Sequence, residues 1–220
     1  MAKTAEDLLR VAKGEIGYDR FKDPEQGTKY GRWYAKLTNS PWFGTNGVPF
    51  CAMFASWSLY QLGIQCVGTP TASCTSGLLT AARSAGKLLR ANEGKRGDLV
   101  LFSWSKAGYY AAEADHVGIV DVNHNGWMET VEGNVDNGKV LARERDHIYV
   151  VGCIRPQFEK EETMGFNDVT KKTPHCDDIK WMKDMGIAKG YSDGSYRPDA
   201  PLTRGDAAAF LHRLYNVLKK

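Results

Sequence analysis

Cys51 is a candidate nucleophile because of its position in the predicted secondary structure. The segment 49–62 is typical of a helix, with Pro49 in its first turn and Gly63 after its end. In the first turn of a helix, unpaired backbone N–H groups and the helix dipole stabilise negative charge. Such a position favours the thiolate, the nucleophilic form of cysteine. A buried structural thiol is the alternative, and position alone does not exclude it.

A thiolate nucleophile needs a base, and the base needs a group that orients it. The chain has five histidines. His124 lies in a predicted turn, His147 in a charged segment, and His175 and His212 near the C-terminus. His116 alone begins a strongly apolar strand, HVGIVDV. We therefore predict His116 as the base, with a structural histidine as the alternative.

The hairpin that follows His116 sets which side chains surround it. The runs HVGIVDVN and WMETVE are separated by residues 124–126, and a three-residue loop ending in a left-handed glycine is a common hairpin connection. In that register Asn123 faces Trp127. A two-residue loop would shift the pairing by one and put the side chains considered below on opposite faces.

Continued along both strands, the three-residue loop places His116 opposite Asn134, with Glu132 diagonal to it on the same face. Either Glu132 or Asn134 could accept the imidazole N–H and support the charged ring. The alternative, a solvated strand end, is equally compatible with the spacing. The sequence thus predicts a site formed by Cys51, His116, Glu132 and Asn134.

The elements that position these residues indicate an α+β fold. Thr4 and Asp7 form a predicted capping box before a helix with apolar Leu8, Val11, Ala12 and Ile16. The segment 18–46 is loop-like, and a third helix is predicted over 76–85. Five strand-like runs follow: DLVLFSW, HVGIVDV, GWMETVE, KVLARER and YVVGCIRP. Helices that precede a run of strands predict helices packed on an antiparallel sheet.

A polar segment divides the chain. We predict a catalytic domain over 1–157, a linker over 158–164 and a small unit over 165–220. In the small unit a helix is predicted over 174–186. Thr203 and Asp206 form a second capping box, before a helix with Ala207, Phe210, Leu211 and Leu214 on one face. A unit this short has little core, and we expect it to need a neighbour.

Composition excludes several classes of function. The net charge is +3 and basic residues alternate with acidic ones, so no nucleic-acid partner is expected. No apolar run is long enough to span a bilayer, and the N-terminal segment lacks the pattern of a signal peptide. We therefore expect no membrane partner, synthesis in the cytoplasm and action on its target after release.

The five cysteines include no C-x-x-C pair, so we predict free thiols and neither a metal nor a cofactor. Asp19 and Asp23 are expected to be solvated loop residues without bound calcium. A disulfide between Cys66 and Cys74 is a minor alternative.

Four motifs in order, PFCAMFASW, GDLVLFSW, DHVGIVDV and TVEGNV, resemble the CHAP family of cysteine, histidine-dependent amidohydrolases and peptidases. The resemblance covers about residues 4–157. It implies a papain-like α+β fold, a Cys51–His116 pair, and Glu132 and Asn134 as supporting residues. Members of this family cut amide bonds in peptidoglycan, either between muramic acid and the peptide or within the peptide.

The C-terminal unit resembles a single S-layer homology module, through FNDV, GIAKGY, DGSYRP and LTRGD. Such modules bind secondary polymers of Gram-positive cell walls. The resemblance implies Arg204 as a ligand for an anionic sugar substituent and Trp181 as a sugar-facing aromatic. The alternatives are a core position for Trp181 and a capping or Asp199-binding role for Arg204. We expect weak monomeric binding or self-association through this module.

Three functions fit these resemblances. The one favoured is a phage-type endolysin, a peptidoglycan amidase or endopeptidase with a wall anchor. The second is a bacterial wall-remodelling hydrolase exported by another route. The third is a non-catalytic wall-binding protein on the same scaffold, which would be expected to lose Cys51 or His116, and both are present.

Overall fold

A computed structural model describes residues 3–106, 108–159 and 162–219. The chain forms two compact units, Met1–Glu159 and Lys160–Lys220. Their boundary falls inside the predicted linker. Phe158 packs against the core of the first unit, and the Glu159 N–H donates to the Lys3 carbonyl (3.0 Å). The first unit therefore continues two residues past the predicted end of the catalytic domain.

The first unit begins with four α-helices: α1 (Ala5–Lys13), α2 (Lys29–Thr38), α3 (Cys51–Tyr60) and α4 (Thr75–Ser84). The predicted capping box is confirmed, because the Asp7 N–H donates to Thr4 Oγ1 and the Thr4 N–H donates to the Asp7 carboxylate. The helices predicted over 49–62 and 76–85 are present as α3 and α4. Ile16 lies beyond the end of α1 and is exposed.

Helix α2 corrects the prediction of a loop over 18–46. Thr28 caps its first turn by accepting a hydrogen bond from the Gly31 N–H (3.0 Å), and Asn39 ends it in the left-handed conformation. Tyr30 and Tyr34, one turn apart, are both buried. Burial of these two rings against the core stabilises a segment whose glycine and aromatic residues disfavour a helix.

Six strands follow: β1 (Leu88–Leu89), β2 (Leu99–Phe102), β3 (His116–Asn123), β4 (Trp127–Val135), β5 (Lys139–Asp146) and β6 (Val150–Ile154). They form one sheet in the order β1-β6-β2-β3-β4-β5, with every neighbouring pair antiparallel. The five predicted strands and the α+β class are thus confirmed. Strand β1 was not predicted because two residues carry no periodic pattern.

Both faces of the central strand β2 are buried. Leu99 and Leu101 belong to the main core, which includes residues of all four helices, whereas Val100 and Phe102 belong to a smaller cluster with Val120. Successive side chains of a strand point to opposite faces, so a strand covered on both sides has no polar positions. This rigid centre carries the start of β3, where His116 lies.

The β3–β4 hairpin corrects the predicted turn but has the predicted register at Ile119 and Val120. The His124 N–H donates to the Trp127 carbonyl (2.9 Å), so the loop has two residues, and Asn123 pairs with Met128 rather than Trp127. A bulge between Val120 and Val122 then shifts the register by one residue. Beyond the bulge, Val120 pairs with Thr130, as in the predicted register.

The second unit contains α5 (Cys176–Asp184) and α6 (Arg204–Leu218) around a small core of Phe166, Val169, Ile179 and Ala188. Of the capping box predicted at the start of α6, the N-cap half is present: the Asp206 N–H donates to Thr203 Oγ1 (3.0 Å), while the Asp206 carboxylate accepts from the Thr203 hydroxyl (2.6 Å) rather than from the Thr203 N–H. Phe210 packs on the core as predicted. Leu211 does not, because its side chain points away and is 66% exposed.

Across the described ranges, none of the helices is both long enough and apolar enough to cross a membrane.

Candidate active site

Cys51 is the first residue of α3 and is almost buried, with 8% of its surface exposed. Phe50 precedes it and provides no side-chain cap. The backbone N–H groups of the first helical turn therefore have no capping side chain and no partner within the helix. They can stabilise negative charge on the Cys51 sulfur or on an oxygen beside it.

His116 and Glu132 form the polar centre of the site. His116 Nε2 lies 2.9 Å from Glu132 Oε2, and both residues are buried. Gly118 makes this contact possible, because a Cβ atom at that position would lie 2.8 Å from Glu132 Cγ. The Glu132 side chain thus crosses the face of β3 over a glycine and reaches the imidazole, on the face that the hairpin register predicts.

Glu132 remains a carboxylate despite its burial. Arg145 donates two hydrogen bonds to it, from Nε to Oε1 (2.9 Å) and from Nη2 to Oε2 (2.7 Å). Thr130 Oγ1 donates a third, to Oε1 (2.6 Å). Burial alone would raise the pKa of Glu132, but the hydrogen bonds from Arg145 and His116 outweigh it and lower the pKa to about 2.

The imidazole of His116 is held in its charged form. Burial disfavours the imidazolium, but interactions with the side chains of Cys51 and Glu132 outweigh burial and raise the pKa of His116 to about 9. Because Nε2 is bonded to Glu132, the nitrogen left for Cys51 is Nδ1. The site thus combines the Cys51 sulfur with an imidazolium that a buried carboxylate supports.

Aromatic rings enclose the imidazole. Phe102 and Trp104 stack on His116 with centroid separations of 6.1 and 6.0 Å. The Arg145 guanidinium lies over the Trp104 ring, 5.3 Å from its centroid. These contacts fix the plane of the imidazole and keep water from its hydrogen bond to Glu132.

Arg145, Thr130 and Gly118 complete the site and were not predicted from the sequence. The turn sequence Asp136-Asn137-Gly138 carried a signal for Arg145, because it predicts a β4–β5 hairpin. In the observed pairing Thr130 faces Arg143, so Arg145 shares the face of the sheet on which Glu132 lies.

Asn134 is not part of this hydrogen-bonded group. It lies at a register shift between Gly133 and Val135, with a left-handed φ of 62°. Among the described residues, no hydrogen bond joins its side chain to His116. Of the two candidates for the orienting group, Glu132 and Asn134, the structure therefore pairs Glu132 with His116.

A cavity of about 340 Å³ opens beside Cys51. Its walls include Trp42 and Phe43 from a short 3-10 helix (Pro41–Gly44), Val48, Ser73 and Asp115. Cys51 can therefore meet a substrate group that enters from solvent.

No three His, Cys, Asp or Glu side chains gather into a potential metal site within the described part of the chain. Asp23, predicted to be solvated, instead has a covered side chain, 3% exposed, that is bonded to Arg32 (2.9 Å) and the Tyr18 hydroxyl (2.6 Å). Asp19 accepts a hydrogen bond from the Phe21 N–H. All five cysteines are free thiols.

In the second unit, Trp181 is half-exposed and Arg204 is exposed at the start of α6. Trp181 is thus not a core residue, and no ion pair joins Arg204 to Asp199 among the described residues. A separate cavity of about 430 Å³ is lined by Lys189, Tyr191 and Arg213, among others, but by neither predicted residue.

Comparison with known proteins gives the class of each unit. The family model described as CHAP domain matches residues 43–134, and the one described as S-layer homology domain matches residues 165–208. The chain therefore carries a CHAP domain, of the cysteine, histidine-dependent amidohydrolase and peptidase family, followed by an S-layer homology domain. A CHAP domain implies hydrolysis of peptidoglycan, and an S-layer homology domain implies association with the cell wall.

Among solved structures, one titled "The crystal structure of Ly7917" is similar at 12% identity and a TM-score of 0.40. The match covers 70% of this chain and 62% of that chain. No curated protein matches this chain significantly.

Proposed function

We propose that this protein cuts an amide bond of peptidoglycan by cysteine nucleophilic catalysis, with Cys51 as nucleophile, His116 as acid and base, and Glu132 as the orienting carboxylate. The observation that carries the proposal is the buried His116–Glu132–Arg145 network next to Cys51 at a helix start. Zymography on purified walls tests it, with clearing by the full chain as the expected result. A wall-binding protein without activity would bind the walls and leave them intact.

The first half of the reaction forms a thioester. The Cys51 thiolate attacks the carbonyl carbon of the amide, and the N–H groups of the first turn of α3 stabilise the oxyanion. The His116 imidazolium then gives its proton to the departing amine as the carbon–nitrogen bond breaks. The products of this half are the free amine, a neutral imidazole and an acylated Cys51.

The second half releases the enzyme. Neutral His116 takes a proton from a water molecule, which attacks the thioester carbonyl. The carbon–sulfur bond breaks, the Cys51 thiolate is restored, and the carboxylic acid product loses its proton to solvent. Glu132 stabilises the imidazolium whenever His116 holds the proton, so it acts on both halves without bonding to the substrate.

Glu132→Gln is expected to move the alkaline limit of activity to lower pH. In the wild type the thiolate–imidazolium pair persists until His116 loses its proton near pH 9. Burial lowers the pKa of His116, and the Glu132 carboxylate opposes this effect. Without the carboxylate the pKa falls, so the alkaline limb of the profile moves down by about one pH unit or more. The measurement is the pH profile of kcat/KM on a soluble peptidoglycan fragment.

Glu129→Gln is the matched control, because Glu129 lies on the same strand but pairs with His124 (2.9 Å) outside the site. Its alkaline limb should coincide with that of the wild type. An alkaline limb that is unchanged in Glu132→Gln would contradict the role of Glu132. We expect Asn134→Ala to cost less than Glu132→Gln, since no hydrogen bond from Asn134 reaches the imidazole.

We further propose that the second unit attaches the enzyme to a secondary polymer of a Gram-positive wall, with Arg204 and Trp181 in contact with the polymer. The exposure of both side chains supports this role. A guanidinium suits an anionic sugar substituent, and an exposed indole suits a sugar face. Helix α6 also exposes Leu211, Tyr215 and Leu218, which supports self-association with a second copy.

Truncation of the chain after Glu159 is expected to separate attachment from chemistry. The remaining chain keeps the whole first unit, including Phe158 and β6. It should hydrolyse soluble fragments at the full-length rate but lyse intact cells about tenfold or more slowly, because attachment raises the effective enzyme concentration at the wall. Rates on both substrates, with sedimentation of both chains, provide the measurement.

Arg204→Ala in the full chain should reproduce part of the loss on cells and leave fragment hydrolysis unchanged. Lys189→Ala tests whether the separate cavity of the second unit contributes to binding instead. A truncated chain that binds and lyses whole cells as well as the full chain would overturn the anchoring role.

We favour a phage-type endolysin over a wall-remodelling hydrolase as the biological role. The pairing of a wall-cutting domain with a wall-associated domain supports either. Expression confined to the lysis stage of a phage infection would support the endolysin, and expression during ordinary growth would support the remodelling hydrolase.

A further inference from the structure

The cavity beside Cys51 is lined mostly by uncharged side chains. One wall is apolar, formed by Trp42, Phe43 and Val48. Apart from the proposed Cys51 thiolate, Asp115 is the only charged side chain among the described residues that line it. Because the Cys51–His116 pair is neutral overall, Asp115 gives the cavity a net negative charge.

The Asp115 carboxylate is held in place without being neutralised. The backbone N–H of Trp104 donates to Asp115 Oδ2 (2.7 Å), and the backbone N–H of Asp115 donates to the Phe102 carbonyl (2.8 Å). Within the described residues, no lysine, arginine or histidine forms an ion pair with Asp115, and Oδ1 accepts no hydrogen bond. A fixed carboxylate with a free oxygen is ready to bind a donor that a substrate brings.

We propose that this cavity is a subsite for a peptide residue of peptidoglycan that carries a free primary ammonium group on an aliphatic chain, and that Asp115 recognises that ammonium. The proposal rests on the function proposed above. The aliphatic chain packs on the apolar wall, where Trp42 is 61% exposed and available for contact. The ammonium donates to Asp115 Oδ1, and the diamino acid of the peptidoglycan peptide has the required chemistry.

Asp115 is thus a specificity-determining residue beside the nucleophile. It directly precedes β3, so the group that selects the substrate lies next to the base in the chain. A cationic substrate residue bound in the cavity positions the adjacent amide at Cys51, so recognition of its charge raises the rate of hydrolysis.

The test compares two soluble peptidoglycan fragments that differ only in whether the diamino acid amine is free or N-acetylated. Wild-type enzyme should have a kcat/KM about tenfold or more higher for the free amine, the effect of one charge-assisted hydrogen bond. Asp115→Asn should lose that preference by becoming slower on the free amine, with a much smaller loss on the acetylated fragment.

Glu113→Gln is the control. Glu113 is an exposed neighbour that does not line the cavity, and its substitution removes the same charge. It should keep the wild-type preference. An equal loss on both fragments in Asp115→Asn would overturn the proposal in favour of a structural role. Wild-type hydrolysis without any preference would overturn the subsite alone, whereas no hydrolysis of fragments or walls would overturn the proposed function as well.

Discussion

Replacement of Cys51 by serine is expected to lower the rate of peptidoglycan hydrolysis by about a thousandfold or more. A serine hydroxyl is far less acidic than a thiol, and His116, protonated at neutral pH, has no free nitrogen with which to deprotonate it. The substitution changes one atom in a nearly buried position, so the free energy of unfolding should change little. Release of soluble fragments from purified walls measures the rate, and thermal unfolding checks the fold.

Cys176→Ser is the matched control, since Cys176 lies in the second unit. It should retain wild-type activity. Iodoacetamide at neutral pH should modify Cys51 and abolish activity with the same time course. Lysis of walls by Cys51→Ser at the wild-type rate would show that the nucleophile is elsewhere.

His116→Ala is expected to cost about a thousandfold or more in kcat/KM, comparable to the loss of the nucleophile, because residues that act as a unit fail together. The thiolate loses its counter-ion, and the departing amine loses its proton donor. The variant should also react more slowly with iodoacetamide at neutral pH, since less of Cys51 is ionised without the imidazolium.

His124→Ala is the control, because His124 is bonded to Glu129 at the hairpin turn outside the site. Its activity and its rate of alkylation should match those of the wild type. If His116→Ala retained most of the activity, a different base would have to be sought and the role of Glu132 would fall with it.

Much of the site could be predicted because its residues lie on regular elements. The helix start at Cys51 and the apolar strand at His116 have local signatures, and the α+β order follows from the periodicities. These signatures depend only on neighbours in the sequence. The face shared by His116 and Glu132 was predicted from a three-residue turn that the structure does not have, and the bulge between Val120 and Val122 restores the predicted register.

The parts that could not be predicted depend on packing between distant segments. Helix α2 forms because Tyr30 and Tyr34 bury their rings in the core, which local propensity does not reveal. Asn134 lies outside the site because of a register shift between Gly133 and Val135 that no residue pattern predicts. Arg145, by contrast, reaches Glu132 through the β4–β5 hairpin, whose turn has a sequence signature that the prediction did not use.

The bulge between Val120 and Val122 separates the hairpin tip from the chemistry at its base. The bulge adds one unpaired residue to β3 and so shifts the register by one. Without this shift, the two-residue turn would place His116 and Glu132 on opposite faces of the sheet. A one-residue insertion at the exposed tip, between Asn125 and Gly126, can be accommodated by loss of the bulge. The hairpin tip is therefore free to diverge in length among descendants, or to accept a grafted peptide, while the catalytic residues keep their places.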